Sequence, residues 1–190
     1  MDNSTERGYI NAIQNGDPAP YRYIVEEYQH MAYTIALRIL GNAEDAEDVS
    51  QESFIKAYQQ IKQFEGKSKF STWLYTIVYR TAISKSKENR VNTFSISEEI
   101  NENYTQDPSA PQHEQLRLEE ERKYVKQAIL KLPRTEALMI TLFYLNENSV
   151  KEIREITGLS SALIKIRLFR ARKKLERELR IFNEQNPASS

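Results

Sequence analysis

The sequence predicts an all-α protein made of two small helical domains joined by a flexible acidic linker, with a helix-turn-helix in the second domain. Only 5 Gly and 6 Pro occur among 190 residues, so long uninterrupted segments remain, and apolar residues recur along them at helical spacing. Residues 88–112 break this pattern, because Asn, Ser, Glu and Pro dominate there. We therefore predict domains at 1–90 and 113–184, a linker at 91–112 and a disordered tail at 185–190.

Four helices are predicted in the first domain. A short one precedes the turn at residues 15–20, where Asn-Gly and Asp-Pro pairs act as helix breakers. Apolar residues recur at helical spacing over residues 21–40, and Gly41 marks the end of that helix. A third helix begins near Ala43, where early carboxylates complement its N-terminus. A turn then leads to a fourth helix at about residues 68–85.

The second domain begins with a helix that Pro133 stops. Short helices are predicted at residues 135–145 and 150–156, and a Thr-Gly-Leu-Ser turn then leads to a final basic helix at 161–182. A helix, a short turn containing Gly and a basic second helix form the helix-turn-helix pattern of DNA-binding proteins. Used alone, a basic amphipathic helix is also compatible with a solvated face or with a helix that binds a partner protein.

Composition and charge exclude several classes of protein. The chain has no Cys, which excludes disulfides and thiolate metal sites. Its start has no apolar signal core and no apolar run approaches membrane-spanning length, so we expect a cytoplasmic protein without membrane insertion. The net charge is +0, but Lys and Arg number 15 against 10 Asp and Glu in residues 119–190, 1 against 5 in residues 93–118, and 11 against 12 in residues 1–92. This asymmetry predicts that the C-terminal part meets nucleic acid.

The third predicted helix has a dense acidic and amide face. Its members are Glu44, Asp45, Glu47, Asp48, Gln51 and Glu52. Such a face repels nucleic-acid phosphate and suits a basic protein partner, although an ordinary solvated helix has a similar composition. Another alternative is an enzyme that uses Asp45, Asp48 and Glu52 as a metal or acid–base site. The sequence offers no second carboxylate helix and no phosphate-cradling glycine loop, so we expect no catalytic residue, no metal and no other cofactor.

Cations and aromatic residues cluster at the start of the fourth predicted helix. The members are Lys67, Lys69, Phe70, Trp73, Tyr75, Tyr79 and Arg80. Basic and aromatic side chains together suit unstacked bases of a single strand. The alternative is that the rings belong to the core, which we expect for Phe70 and Trp73, whereas Tyr75, Tyr79 and Arg80 are predicted at the edge of the buried stripe.

In the predicted helix-turn-helix, the last helix carries its cations on the faces away from its apolar stripe. The N-terminal part of such a helix enters the major groove. Ser160, Ser161, Lys165 and Arg167 are then placed to meet base edges or phosphates, and either serine could act as the N-cap. Cations further along would contact the DNA backbone: Arg170, Arg172, Lys173 and Lys174.

The two halves together resemble one known family. The blocks DAEDVSQESF, FSTWLYTIV, LPRTEALMITLFYL and EIREITGLSSALIKIRLFRARKKLERELR occur in the order and spacing of bacterial RNA polymerase sigma factors of the sigma-70 family, specifically the extracytoplasmic-function (ECF) group. The similarity covers roughly residues 21–179. The resemblance implies an all-α factor without enzymatic activity that binds core polymerase and directs promoter-specific transcription initiation.

The resemblance also implies roles for each motif. The acidic face and Phe54 would dock on the clamp helices of the largest polymerase subunit, and residues 67–80 would capture the opened minus-ten element. The helix-turn-helix would read the minus-thirty-five element, and the polymerase flap region would be a further contact. Many relatives are held by an anti-sigma factor, so such a protein is among the implied partners. The chain departs from the family pattern at Arg80, Arg154 and Ile166.

One alternative stays open at this point, a helix-turn-helix transcriptional regulator that never docks on polymerase. It would use the second domain to bind DNA and the first as a sensor or dimeriser. The acidic face next to the aromatic block argues against this alternative.

Overall fold

The computed structural model describes residues 1–92 and 124–185, with side chains at all these positions except 90–92 and 181–185. Helices fill most of both segments and neither contains a strand, which confirms the all-α prediction. Nearly all of the linker predicted at 91–112 lies outside the described residues, as do the first part of the second domain and the end of the predicted tail.

The first two helices form as the sequence predicts. Helix α1 spans Asn3–Gln14, and the Asp2 carboxylate caps it by accepting hydrogen bonds from the amides of Ser4 and Thr5 at 2.9 and 3.0 Å. Helix α2 spans Tyr21–Leu40 and ends at Gly41, whose φ of 81° lies in the left-handed region that favours glycine.

Helix α3 spans Ala43–Gln60, and a 3₁₀ turn, Ile61–Gln63, follows it. The Asn42 side chain caps α3 by accepting from the Asp45 amide at 2.8 Å. Helix α4 spans Phe70–Asn92, so it continues beyond residue 85, where the apolar stripe led us to expect its end. Asn89, in the turns beyond residue 85, donates to the Asp45 carboxylate of α3 at 2.7 Å.

The core of the first domain lies between α2, α3 and α4, which pack against one another. Its central side chains are fully buried and come from all three helices: Ile24, Ile35, Val49, Leu74 and Val78. These residues lie on the helical-period stripes of the sequence. Burying one aliphatic side chain of this size stabilises the fold by about 1.5–3 kcal/mol.

Between residues 124 and 185, the described part of the second domain contains four short or amphipathic helices. Residues 124–130 form α5, Arg134–Ile140 form α6, Val150–Thr157 form α7 and Ser161–Gln185 form α8. The helix predicted at 135–145 is therefore α6 followed by a π-helical turn, Thr141–Leu145. The core of the second domain lies mainly between α6, α7, α8 and the π-helical turn. Its fully buried members are Met139, Leu142, Ile153, Ile156 and Ile164.

The two domains pack against each other. Helix α4 of the first domain contacts α7 of the second, and α2 contacts α6. At the α2–α6 contact, the Arg134 guanidinium occupies the space beside Gly41, where a Cβ would lie only 2.1 Å from Nη2. Gly41 thus combines a left-handed helix end with a close approach by the other domain.

Candidate partner-binding and nucleic-acid surfaces

The acidic surface of the first domain lies on α3. This name denotes five exposed side chains: Glu44, Glu47, Asp48, Gln51 and Glu52. The opposite side of the helix buries Ala46 and Val49 in the core, so the carboxylates face solvent and are available to a partner. Glu52 also pairs with Lys56 one turn later at 2.7 Å, in a partly exposed ion pair of the kind that adds little stability.

Two residues predicted on the polymerase-binding face lie elsewhere. Phe54 is buried and packs in the core. The Asp45 carboxylate accepts hydrogen bonds from the side-chain amides of Asn42 and Asn89, both at 2.7 Å, and lies 3.7 Å from Lys85 Nζ. The hydrogen bond from Asn42, with smaller effects of Asn89 and Lys85, lowers the pKa of Asp45. Asp45 therefore ties the start of α3 to the last turns of α4.

Sequence reasoning missed two residues that extend the acidic surface. Ile55 is 59% exposed and Tyr58 is 42% exposed on the same side of α3. The Tyr58 ring is also held by an edge-to-face contact with Tyr21, with centroids 4.9 Å apart. The available signal was that Ile55 lies off the buried stripe of α3, which leaves an isoleucine with no place in the core.

The basic and aromatic residues at the start of α4 fall into three groups. Lys67, Lys69 and Arg80 are exposed, Trp73 and Tyr79 are half-buried, and Phe70 and Tyr75 are buried. Lys67 pairs with Glu65 in its own loop. Phe70 and Trp73 form a cluster with Phe64, in which the three centroid distances are 5.3–5.5 Å. The expectation that Phe70 belongs to the core is therefore confirmed.

The expectation that Tyr75 lies at the helix edge is wrong, because its side chain is only 2% exposed. The ring makes an edge-to-face contact with Tyr28, and its hydroxyl donates to Oδ1 of Asn146 in the second domain at 3.4 Å. Burial raises the pKa of the Tyr75 hydroxyl. At Tyr75 the predicted helix edge is therefore buried, between Tyr28 of α2 and Asn146 of the second domain.

Charged groups reinforce this contact between domains. Nζ of Lys69 lies 2.9 Å from Oε1 of Glu152 at the start of α7. Burial raises the pKa of the Tyr79 hydroxyl, and the positive charge of Arg167 on α8 partly offsets that effect. Arg167, which we predicted to meet DNA, therefore lies near α4 in this arrangement.

The helix-turn-helix is formed by α7 and α8. Ser149 and Glu152 form a capping box at the start of α7, and Gly158, with φ 71°, ends it in the left-handed conformation. Ser160 is the serine that caps α8, since its Oγ accepts from the Leu163 amide at 3.3 Å. These caps fix where α8 begins and therefore which side chains lie at its N-terminal end.

The predicted DNA-binding cations of α8 fall into two groups. Lys165, Arg170 and Lys173 are exposed, and the Lys173 ammonium lies over the Phe169 ring at 5.1 Å from its centroid. Arg172 and Lys174 are exposed as well, but they contact the π-helical turn and α6. Arg172 Nε donates to the Tyr144 hydroxyl at 2.7 Å, and Lys174 pairs with the buried Glu136 at 2.8 Å.

An apolar groove of about 830 Å³ opens beside Arg172. It lies between α5, the π-helical turn and the C-terminal half of α8. Its lining is mainly apolar, with arginine and glutamate at the side: Val125, Ile129, Tyr144, Leu145, Leu175, Leu179, Arg172, Arg180 and Glu176. The groove lies on the second domain, away from the N-terminal end of α8.

Within residues 1–92 and 124–185, no group of three or more His, Cys, Asp or Glu side chains is placed to hold a metal ion. None of the helices in these segments is long and apolar enough to cross a membrane.

Comparison with known proteins now identifies the family. Residues 24–91 match the model for Sigma-70 region 2, and residues 122–175 match the model for Sigma-70 region 4. The ECF RNA polymerase sigma factor SigW of Bacillus subtilis is 34% identical over 178 residues, which are 90% of this chain and 95% of that protein. The chain belongs to the ECF RNA polymerase sigma factors. As a sigma factor, it binds core RNA polymerase and promoter DNA and directs transcription initiation.

Other relatives agree with this assignment. The ECF RNA polymerase sigma-E factor of Haemophilus influenzae is 34% identical over 182 residues, with 92% of this chain and 95% of the relative covered. Because such similarity extends over both domains, the alternative of a regulator that does not dock on polymerase is set aside.

Solved structures show the same fold. CnrH, in complex with the cytosolic domain of CnrY, has a TM-score of 0.59 at 23% identity and covers 92% of this sigma factor and 97% of its own chain. The sigma factor RpoE of Bartonella quintana, in complex with the anti-sigma factor NepR, has a TM-score of 0.63 at 21% identity, with 85% and 97% covered.

Proposed function

We propose that this sigma factor divides its work between oppositely charged surfaces of its two domains. The acidic surface of α3, extended by Ile55 and Tyr58, docks on a basic surface of core polymerase, the clamp helices of the largest subunit. The exposed N-terminal part of α8 reads the minus-thirty-five duplex. The observation that carries this proposal is the exposure of the α3 carboxylates on one domain and of the α8 cations on the other.

Charge and apolar exposure support the docking surface. Carboxylates steer association with a basic partner, and an exposed isoleucine and tyrosine at the end of the same face add area that excludes water. Phe54 supports the surface from the core side, and Asp45 fixes the start of α3, so both act through position rather than contact.

For the minus-ten element, the proposal uses the exposed Lys67 and Arg80 with the half-buried Trp73 and Tyr79. A base stacked on an aromatic ring contributes about 1–3 kcal/mol, and cations beside it hold the phosphates. Lys69 is free to join them once its ion pair with Glu152 is broken. Opening of the promoter is then driven by capture of unstacked bases, with no chemical step on this chain.

Further partners follow from the second domain and the similar structures. The apolar groove beside α5 and α8 suits an apolar helix of the polymerase flap region. RpoE is seen with the anti-sigma factor NepR and CnrH with the cytosolic domain of CnrY, so we include an anti-sigma protein among the partners of this chain. A factor that needs polymerase and promoter DNA works in the cytoplasm.

The test is in vitro transcription with core polymerase and a promoter library. Asp48→Arg should abolish co-purification with core polymerase and reduce initiation at least tenfold, whereas Lys165→Ala should leave co-purification intact and weaken promoter binding. Glu26→Arg is the matched control, because it makes the same charge change at an exposed position of α2. Initiation by Asp48→Arg at the level of Glu26→Arg would refute the docking surface.

A further inference from the structure

The recognition helix α8 presents an apolar side chain to solvent at its N-terminal end. Ile164, Leu168 and Ala171 are buried and form the side of α8 that faces the core. Diametrically opposite runs an exposed stripe of four residues at helical spacing: Ala162, Ile166, Phe169 and Lys173. Ile166 is 47% exposed on this stripe. Packing within the second domain therefore leaves the outer methyl groups of Ile166 in contact with solvent.

Position along the helix separates Ile166 from its neighbours on the stripe. Ile166 is the sixth residue of α8, so at a rise of about 1.5 Å per residue it lies within the first two turns. Side chains in these turns reach base edges when a helix-turn-helix enters the major groove. Phe169 lies a turn further on, where the Lys173 ammonium covers its ring at 5.1 Å.

The surrounding charge identifies duplex DNA as the occupant of this face. Lys165 and Arg170 are exposed on either side of Ile166, and Lys173 continues the stripe. Cations in this arrangement contact the phosphates on both sides of a groove and hold the residue between them against the bases. The major groove of duplex DNA, with phosphates along its edges and an apolar group on its floor, complements this surface.

Chemistry then limits which base can lie against Ile166. The isoleucine side chain has no hydrogen-bond donor or acceptor. The N7, O6 and N4 groups of other bases would therefore lose their hydrogen bonds to water at this position and gain none in return. Thymine alone of the four bases offers a methyl group in the major groove, and apolar side chains read it by direct contact.

We infer that Ile166 is a specificity-determining residue, which selects one thymine of the upstream promoter element through its C5-methyl group. The inference rests on the proposed reading of that element by α8. Ile166 would contact a base rather than the DNA backbone, so the effect of substituting Ile166 depends on the promoter sequence.

Deoxyuridine provides the test, because it pairs like thymine and lacks only the methyl. A promoter is first selected from a randomised library by transcription with core polymerase. Each thymine of its upstream element is then replaced singly by deoxyuridine, and holoenzyme affinity is measured by competition binding. One replacement should weaken the wild-type holoenzyme about fourfold, the effect of one buried methyl, and should have no effect on Ile166→Ala. Ile166→Val should keep most of the discrimination.

The controls separate this inference from the function on which it rests. Leu130→Ala removes a partly exposed leucine from α5 and should give the wild-type pattern. If the wild-type holoenzyme binds the element but every deoxyuridine replacement affects wild type and Ile166→Ala equally, the role of Ile166 is refuted while reading by α8 stands. An element selected without thymine refutes it as well. If the element makes no contribution to wild-type binding, the proposed function of α8 itself is refuted.

Discussion

Nζ of Lys69 lies 2.9 Å from Oε1 of Glu152, while Oε2 of the same carboxylate accepts from the amide and hydroxyl of Ser149, both at 2.7 Å. One side chain therefore caps α7 and holds the first domain. Burial opposes ionisation of Glu152, but the hydrogen bonds from Lys69 and Ser149 outweigh burial and lower its pKa.

Removing Lys69 should loosen the contact between the domains. A partly exposed ion pair is worth about 0–1 kcal/mol, so Lys69→Met should raise the ratio of separated to packed domains by up to about fivefold. The chain has no Cys, so dyes placed through Gln59→Cys and Glu155→Cys report the distance by energy transfer. Lys67→Met is the matched control, because Lys67 pairs within its own loop. Equal shifts in the two variants would contradict the prediction.

Tyr75 should act through packing rather than through its hydroxyl. Tyr75→Ala should lower the free energy of unfolding by about 3–5 kcal/mol, because it removes a buried ring. Tyr75→Phe loses only the long bond to Asn146 and should cost less than about 1 kcal/mol. Urea denaturation measures both. A larger decrease in the free energy of unfolding for Tyr75→Phe than for Tyr75→Ala would contradict this packing role.

Asp45 should contribute stability that depends on pH. Its pKa is lowered in the folded chain, so its contribution is complete above the ordinary aspartate pKa of about 3.9 and is lost as pH falls through the folded value. Asp45→Ala should cost about 1–2 kcal/mol at pH 7, and its difference from wild type should shrink on acidification below pH 4. Denaturation at pH 7 and pH 3 tests this, with the exposed Asp48→Ala as control. A difference that grows on acidification would contradict the assignment.

Gly41 should resist substitution for two separable reasons. Gly41→Ala places a Cβ in the left-handed region, at a cost of about 1–2 kcal/mol, and that Cβ also displaces the Arg134 guanidinium. In an Arg134→Ala background only the backbone cost remains, so the penalty of Gly41→Ala should be smaller there. A double-mutant cycle by thermal unfolding measures the difference. An equal penalty in both backgrounds would show that Arg134 moves aside without cost.

The sequence predicted those features that depend on residues close together in the chain. Helices α1 to α3, the capped turn before α8 and the buried stripe of α8 follow from local periodicity and caps, and the structure confirms them. The exposure of the carboxylates on α3 follows in the same way, since they lie off its apolar stripe. Family membership, too, came from continuous motifs, each confined to one helix or to two consecutive elements.

Features that depend on contacts between residues far apart in the chain could not be predicted. Tyr75 has the spacing of an edge residue on α4, and nothing within that helix indicates that Asn146 covers it. Arg172 and Lys174 have the composition of a DNA-binding face, yet Tyr144 and Glu136 bind them. In each case the deciding neighbour is at least 28 residues away in the chain, beyond the range of helical periodicity.

Under the proposed capture of the minus-ten strand by α4, the packing of α7 against α4 makes strand capture a competition within one molecule. A single strand that needs this side of α4 can bind only the fraction of chains whose domains have separated, so its apparent dissociation constant is the intrinsic constant divided by that fraction. Linkage is reciprocal, so whatever occupies α7 or α8 and draws the second domain away also raises the affinity for the strand. Under the proposed function, reading of the duplex and melting of the promoter would be thermodynamically coupled through the contact between α4 and α7.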